Sequence, residues 1–105
     1  MNFGELAKNL GLEEEEYLEL IELFIETSMS DLNQLHSAIE EGSAEKAVKA
    51  AHSLKGAAIN LGLIELFEIA KEIEEKACND QLEKTAEAAQ ALQEKLDIIV
   101  DLVGR

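Results

Sequence analysis

Apolar residues recur three and four positions apart along nearly the whole chain, and each place where glycine or polar residues interrupt the rhythm marks a helix boundary. Phe3, Leu6 and Leu10 predict a short amphipathic helix ended by Gly11, set as a cap on one end of the fold. The carboxylate run Glu13 to Glu16 opens a long helix, because negative charge complements the positive end of the helix dipole. Its buried stripe is Tyr17, Ile21, Phe24, Ile25, Leu32, Leu35 and Ile39, with Ser28 and Met29 near the middle, and it ends at Glu41-Gly42. Leu20 and Leu23 fall off that stripe, so at least one is expected under the N-terminal helix; left bare, they form a docking surface. Ser43 is the expected N-cap of the next helix, with Glu45 in its first turn. That helix turns Ala47, Ala50, Ala51, Leu54, Ala58 and Leu61 to one side and closes at Gly62.

Leu63, Leu66, Phe67, Ala70, Ile73 and Ala77 form the following stripe, punctuated by Asn79-Asp80. Leu82, Thr85, Ala89, Leu92, Leu96, Ile99 and Val103 then repeat with no interruption, predicting one continuous last helix. The heptad there is short, and with three other amphipathic helices to pack on it predicts a bundle rather than a coiled coil. The short connections predict an all-α fold: an antiparallel up-down-up-down four-helix bundle with a short extra N-terminal helix, one domain over residues 1–105.

Composition narrows the chemistry. The formal charge of −14 disfavours nucleic acid and anionic membrane surfaces, which need clustered Lys and Arg. No apolar run reaches the roughly 18 residues of a membrane span, and no basic-then-apolar leader opens the chain, so a cytoplasmic monomer is expected. Cys78, the single cysteine, allows no internal disulfide and makes no zinc-type spacing. Adjacent residues of the Glu13–Glu16 run point around the helix and cannot converge on a metal. No cofactor or metal site is expected. Against this acidic background Lys46, Lys49 and Lys55 fall on one helix, which predicts a local basic patch, with Lys46 merely solvated.

The outer face of that helix carries Glu45, Val48, Lys49, His52, Lys55, Gly56 and Ile59, with His52 central and Lys55 and Gly56 one turn on. A glycine inside a helix costs about 0.5–1 kcal/mol relative to alanine. Gly56 has no turn chemistry around it, so something outside helix stability favours it. It bares one side of the His52 ring, as required if another protein presses close. Imidazole is a nucleophile near neutral pH, and a cation one turn away can hold an anion arriving at the ring. The combination suits acceptance of a phosphoryl group. His36 has no Lys and Gly at the same spacing and reads as a packing residue at the stripe's edge.

The run His52-Ser53-Leu54-Lys55-Gly56-Ala57-Ala58, closing with Asn60-Leu61-Gly62, resembles the phosphoacceptor motif of histidine-containing phosphotransfer (HPt) domains. Phe24-Ile25-Glu26, the spacing of Leu32, Leu35, Ala38 and Ile39, and Leu66, Ala70, Ile73 and Glu74 are similar to the family's pattern too, so the resemblance covers most of the chain. It implies a phosphorelay carrier, not an enzyme in its own right: His52 the phosphorylated residue, Lys55 assisting the phosphoryl group, Gly56 giving clearance. The implied partners are receiver domains of response regulators and a hybrid histidine kinase, with the divalent cation supplied by the receiver. Val48, Lys49, Ile59 and Asn60 are the candidate docking residues; Val48 and Ile59 either rim the receiver or pack on a neighbouring helix, and Asn60 either helps close its helix or touches the partner. The competing reading is a helical interaction module without phosphotransfer. A carboxylate-bridged metal bundle needs paired Glu-x-x-His elements, and positions 33 and 49 hold Asn and Lys.

Overall fold

The computed structural model describes residues 1–104, and among them the only regular structure is helical. The helices are α1 (Phe3–Asn9), α2 (Glu14–Glu41), α3 (Ala44–Asn60), α4 (Ile64–Cys78) and α5 (Ala86–Leu102), with a single 3-10 turn at Leu82–Lys84. Their boundaries follow local chemistry. The Asn2 side chain accepts from the Glu5 N–H and the Ser43 hydroxyl from the Lys46 N–H, while Glu16 Oε1 accepts from the Glu13 N–H at 2.9 Å. Gly42 and Gly62, at φ 73° and 74°, end α2 and α3 in the left-handed conformation open to glycine.

Cross-helix contacts fix the antiparallel register. Asp31 meets Ser53 and Glu41 meets Lys46 between α2 and α3; Glu74 meets His52 and Lys55 between α3 and α4; Glu65 meets Lys95 between α4 and α5. Between α2 and α3 the numbers rise on one helix as they fall on the other, and the α3–α4 and α4–α5 contacts join residues on either side of the intervening turns, as antiparallel neighbours do. Contact between α2 and α5 closes the ring of four, where His36 Nε2 lies 3.4 Å from Gln93 Oε1. The expected stripes of α2, α3 and α4 are the core: Tyr17, Ile21, Ile25, Leu32, Leu35 and Ile73 are fully buried, and α3 contributes Ala47, Ala50, Ala51, Leu54 and Ala58. Tyr17 adds a polar tie, its buried hydroxyl donating to the Leu61 carbonyl at 2.6 Å where α3 ends.

Three expectations fail in detail. The last helix is not continuous. The buried Thr85 hydroxyl donates back to the Leu82 carbonyl at 2.6 Å, and such local bonding competes with the helix, leaving a 3-10 turn before α5. Leu20 and Leu23 are not covered by α1 and stand 40% and 61% exposed. The short α1 packs inward, Phe3 against the Tyr17 ring and Leu6 toward Gly62, and never reaches the outer flank of α2. Met29 is exposed at the edge of its stripe rather than near the middle.

Among the described residues, one buried side-chain oxygen lacks a partner. Ser28 Oγ is enclosed by Phe24, Leu32, Leu54, Leu66, Leu92 and Leu96 beside a void of about 10 Å³, with no protein group in hydrogen-bonding reach. A water there would have one polar neighbour instead of the usual two to four. Ser28→Ala is therefore expected to stabilise the fold by about 1 kcal/mol, raising the thermal midpoint by about 4–8 °C. A lowered midpoint in a melting curve would mean that the hydroxyl is bonded after all.

Candidate functional site

The alanine seam of α3 lets α4 lie close along it, and that proximity positions the side chains at the middle of the pair. His52 projects from α3 with its side chain 70% exposed. Its Nδ1 lies 2.8 Å from Glu74 Oε2 on α4, and the other oxygen of the same carboxylate, Oε1, takes Lys55 Nζ at 2.5 Å. Glu74 is only 16% exposed and Lys55 26%. The carboxylate thus sits in the crease between the helices with both oxygens engaged.

Burial by itself would push the Glu74 carboxyl up. The Lys55 hydrogen bond, then the one from His52, and the Lys55 charge, joined by that of His52 whenever the ring is protonated, outweigh it, holding the group below its ordinary value. Glu74 is accordingly an ionised carboxylate at neutral pH and can only accept. The ring nitrogen facing it must then be the N–H, which places the free lone pair on Nε2. No other described group bonds to the ring, so Nε2 points into solvent.

One turn further along α3, nothing lies within 4 Å of where a Cβ on Gly56 would stand. The helix is regular there, so the glycine meets no steric demand within the molecule. Ser53, on the opposite flank of His52, is turned toward α2 and donates to Asp31 Oδ2 at 2.6 Å.

Of the expected site residues, His52, Lys55 and Gly56 do lie together. Lys55 differs from expectation in direction: it leans across to α4 rather than extending into water. The expected local basic patch is not a set of free cations either. Lys46 pairs with Glu41 at 2.9 Å and Lys49 with Glu45 at 3.7 Å, so each lysine of α3 has a carboxylate beside it. Val48 is half-buried and packs on the core, whereas Lys49, Ile59 and Asn60 are exposed. His36 packs half-buried against α5.

Glu74 is the residue that reading α3 alone leaves unassigned. In sequence it is a carboxylate one position past the buried Ile73. Counting outward from the Gly62 turn, ten residues back and twelve forward, brings His52 and position 74 to the same level of an antiparallel pair.

The family model for the Hpt domain matches residues 19–101 of this chain. The chain belongs to the Hpt domain family. That membership brings a role in histidine phosphotransfer within two-component phosphorelays, as a carrier and not a kinase, with receiver domains as partners. Neither the comparison with curated proteins nor that with solved structures returned a match. No helix among the described residues is long and apolar enough to cross a membrane.

The empty space at Gly56 has a direct consequence for stability. Replacing it with Gln, a good helix former whose Cβ would meet no neighbour, is expected to stabilise the isolated Hpt domain by up to about 1 kcal/mol. Chemical denaturation checks this; a loss of stability would mean that a neighbouring element crosses close to position 56.

Proposed function

We propose that His52 is the phosphoacceptor of this Hpt domain, taking a phosphoryl group from the aspartyl phosphate of one receiver and giving it to the aspartate of another. The observation that carries the proposal is the ion-paired Glu74 carboxylate, which accepts the Nδ1 proton of an otherwise exposed imidazole and so leaves Nε2 as an oriented nucleophile. In the transfer, the Nε2 lone pair attacks phosphorus in line. The phosphorus–nitrogen bond forms as the bond to the aspartyl oxygen breaks, and the receiver's carboxylate leaves with that electron pair. The ring gains positive charge while its Nδ1 proton stays directed at Glu74, whose negative charge offsets it. Return transfer reverses each step.

Lys55 lies at i+3 from His52, one turn further along α3, with its ammonium held by Glu74. A dianionic phosphoryl group arriving there competes with Glu74 for that ammonium, and charge spread over the transferring oxygens is what the ammonium stabilises. Gly56 leaves the approach to Nε2 clear for the receiver's phosphoaspartate. The exposed Lys49, Ile59 and Asn60 would meet the docked receiver, with the edge of Val48 beside them, and the bare Leu20 and Leu23 on α2 extend the apolar area available. The chain itself needs no cofactor in this scheme, the divalent cation being in the receiver's acidic pocket.

His52→Gln is expected to abolish labelling by a phosphorylated receiver without changing helicity or melting, since an exposed ring supports no core. The wild-type label should survive base and be lost in acid, as for a phosphoramidate. Gly56→Gln should slow transfer from the receiver about a hundredfold, the cost of a misplacement near 1 Å, yet leave labelling by a small phosphodonor nearly intact. Equal labelling of wild type and His52→Gln would return the chain to the reading of an interaction module.

A further inference from the structure

At the end of the bundle that carries α1, a groove of about 370 Å³ opens between α1, the α3–α4 turn and the last turns of α5. Its walls are mainly apolar, with Leu6, Leu63, Leu66, Ile98 and Ile99 inside and Asn2, Glu5, Glu65 and Lys95 around them. That volume is at the lower end of the range for ligand pockets, about 300–1,000 Å³. Ile98 is 56% exposed although it is a large aliphatic side chain, and Leu102, one turn on, is exposed as well. The α1 wall lies outside residues 19–101, the span matched by the family model, so that pattern does not account for the groove.

The groove is separate from the His52 site. Glu65, at its edge, faces α5 through Lys95, while Glu74, nine residues later and half a rotation around α4, faces α3. A molecule in the groove would leave the His52 face open.

Charge indicates what fits. Residues 1–22, 55–68 and 94–102, which make up this end of the bundle, hold twelve Asp and Glu against three Lys. Residues 23–54 and 69–93, the remainder of the described helices, hold eleven against five. The formal balance is therefore −9 around the groove and −6 elsewhere. Of the three lysines, Lys95 is already held by Glu65 at 2.6 Å and Lys55 by Glu74, so neither offers a free cation to an anionic ligand. Such a field repels nucleic acid, anionic lipid and a second copy of the same end, and it attracts a cationic partner. An apolar cleft walled by helices is the setting in which an amphipathic helix lays its apolar face.

We propose that this groove docks a basic amphipathic helix of a partner protein, its aliphatic side chains entering between α1 and α5 and its Lys or Arg facing the surrounding carboxylates. The test uses the full chain and a fluorescein-labelled Leu/Lys helical peptide of about 18 residues, five turns, with a Leu/Glu peptide of the same pattern as control. Binding is read by anisotropy, and amide shift perturbations locate it. The Leu/Lys peptide should bind, perturbing α1, the α3–α4 turn and the end of α5, and the Leu/Glu peptide should not. Ile98→Asp should weaken binding about tenfold or more, whereas Met29→Asp, which adds the same charge on an exposed apolar site away from the groove, should not weaken it. Pure charge attraction predicts instead that both variants bind the peptide slightly tighter, and that result would overturn the proposal. So would equal binding of the Leu/Glu peptide, Ile98-dependent self-association in sedimentation, or Ile98-dependent binding to anionic vesicles. Circular dichroism confirms that both variants fold; should Ile98→Asp not fold, Ile98→Ser is read in its place by the same criteria.

Discussion

The structure around the site depends on one carboxylate shared across two helices. Glu74 on α4 takes the His52 Nδ1 proton with one oxygen and the Lys55 ammonium with the other, in a crease where it is largely shielded. A carboxylate in that position with only one partner would face the desolvation cost of burial with less compensation. With two, it stays ionised and acts as an acceptor alone, and that decides which nitrogen of an exposed ring keeps the free lone pair. Rigidity in the bundle is thereby converted into a defined tautomer and direction at the surface.

The packing that allows this is a division of labour among the helices. α3 presents alanines to the core at positions 47, 50, 51 and 58, so α4 can approach close enough for Glu74 to reach both residues of α3. Bulk comes from α2, α4 and α5, through Tyr17, Ile21, Ile25, Leu32, Ile73 and Ile99. The Tyr17 hydroxyl bonds the carbonyl that ends α3, which fixes the length of the helix bearing His52. Gly56 can then be spared any packing role, since a Cβ there would meet nothing beyond its own helix.

Much of this was legible in the chain. The buried stripes of α3 and α4 follow from 3.6-residue periodicity, Ser43 and Gly62 bound α3 by ordinary cap chemistry, and His52, Lys55 and Gly56 share a face by spacing alone. What was not legible depends on tertiary contact or on bonding that leaves the hydrophobic rhythm unchanged. Thr85 fits the last stripe perfectly well and is buried as expected, yet its hydroxyl breaks the helix. Leu20 and Leu23 remain bare because α1 turns inward onto Tyr17 and Gly62, a direction no periodicity encodes. Lys55 has the spacing of a solvent-facing cation, and only the presence of Glu74 across the helix pair turns it aside.

The central claim is that Glu74 holds the Nδ1 proton and so makes Nε2 of His52 the phosphorylated atom. Long-range proton–nitrogen correlation spectra of the imidazole, recorded before and after phosphorylation of the labelled protein, test it directly. The account predicts the Nδ1–H tautomer in the free protein and phosphorus coupled to Nε2 of His52 in the phosphorylated one. An Nε2–H tautomer at rest, or phosphorus on Nδ1 or on any other residue, would contradict it.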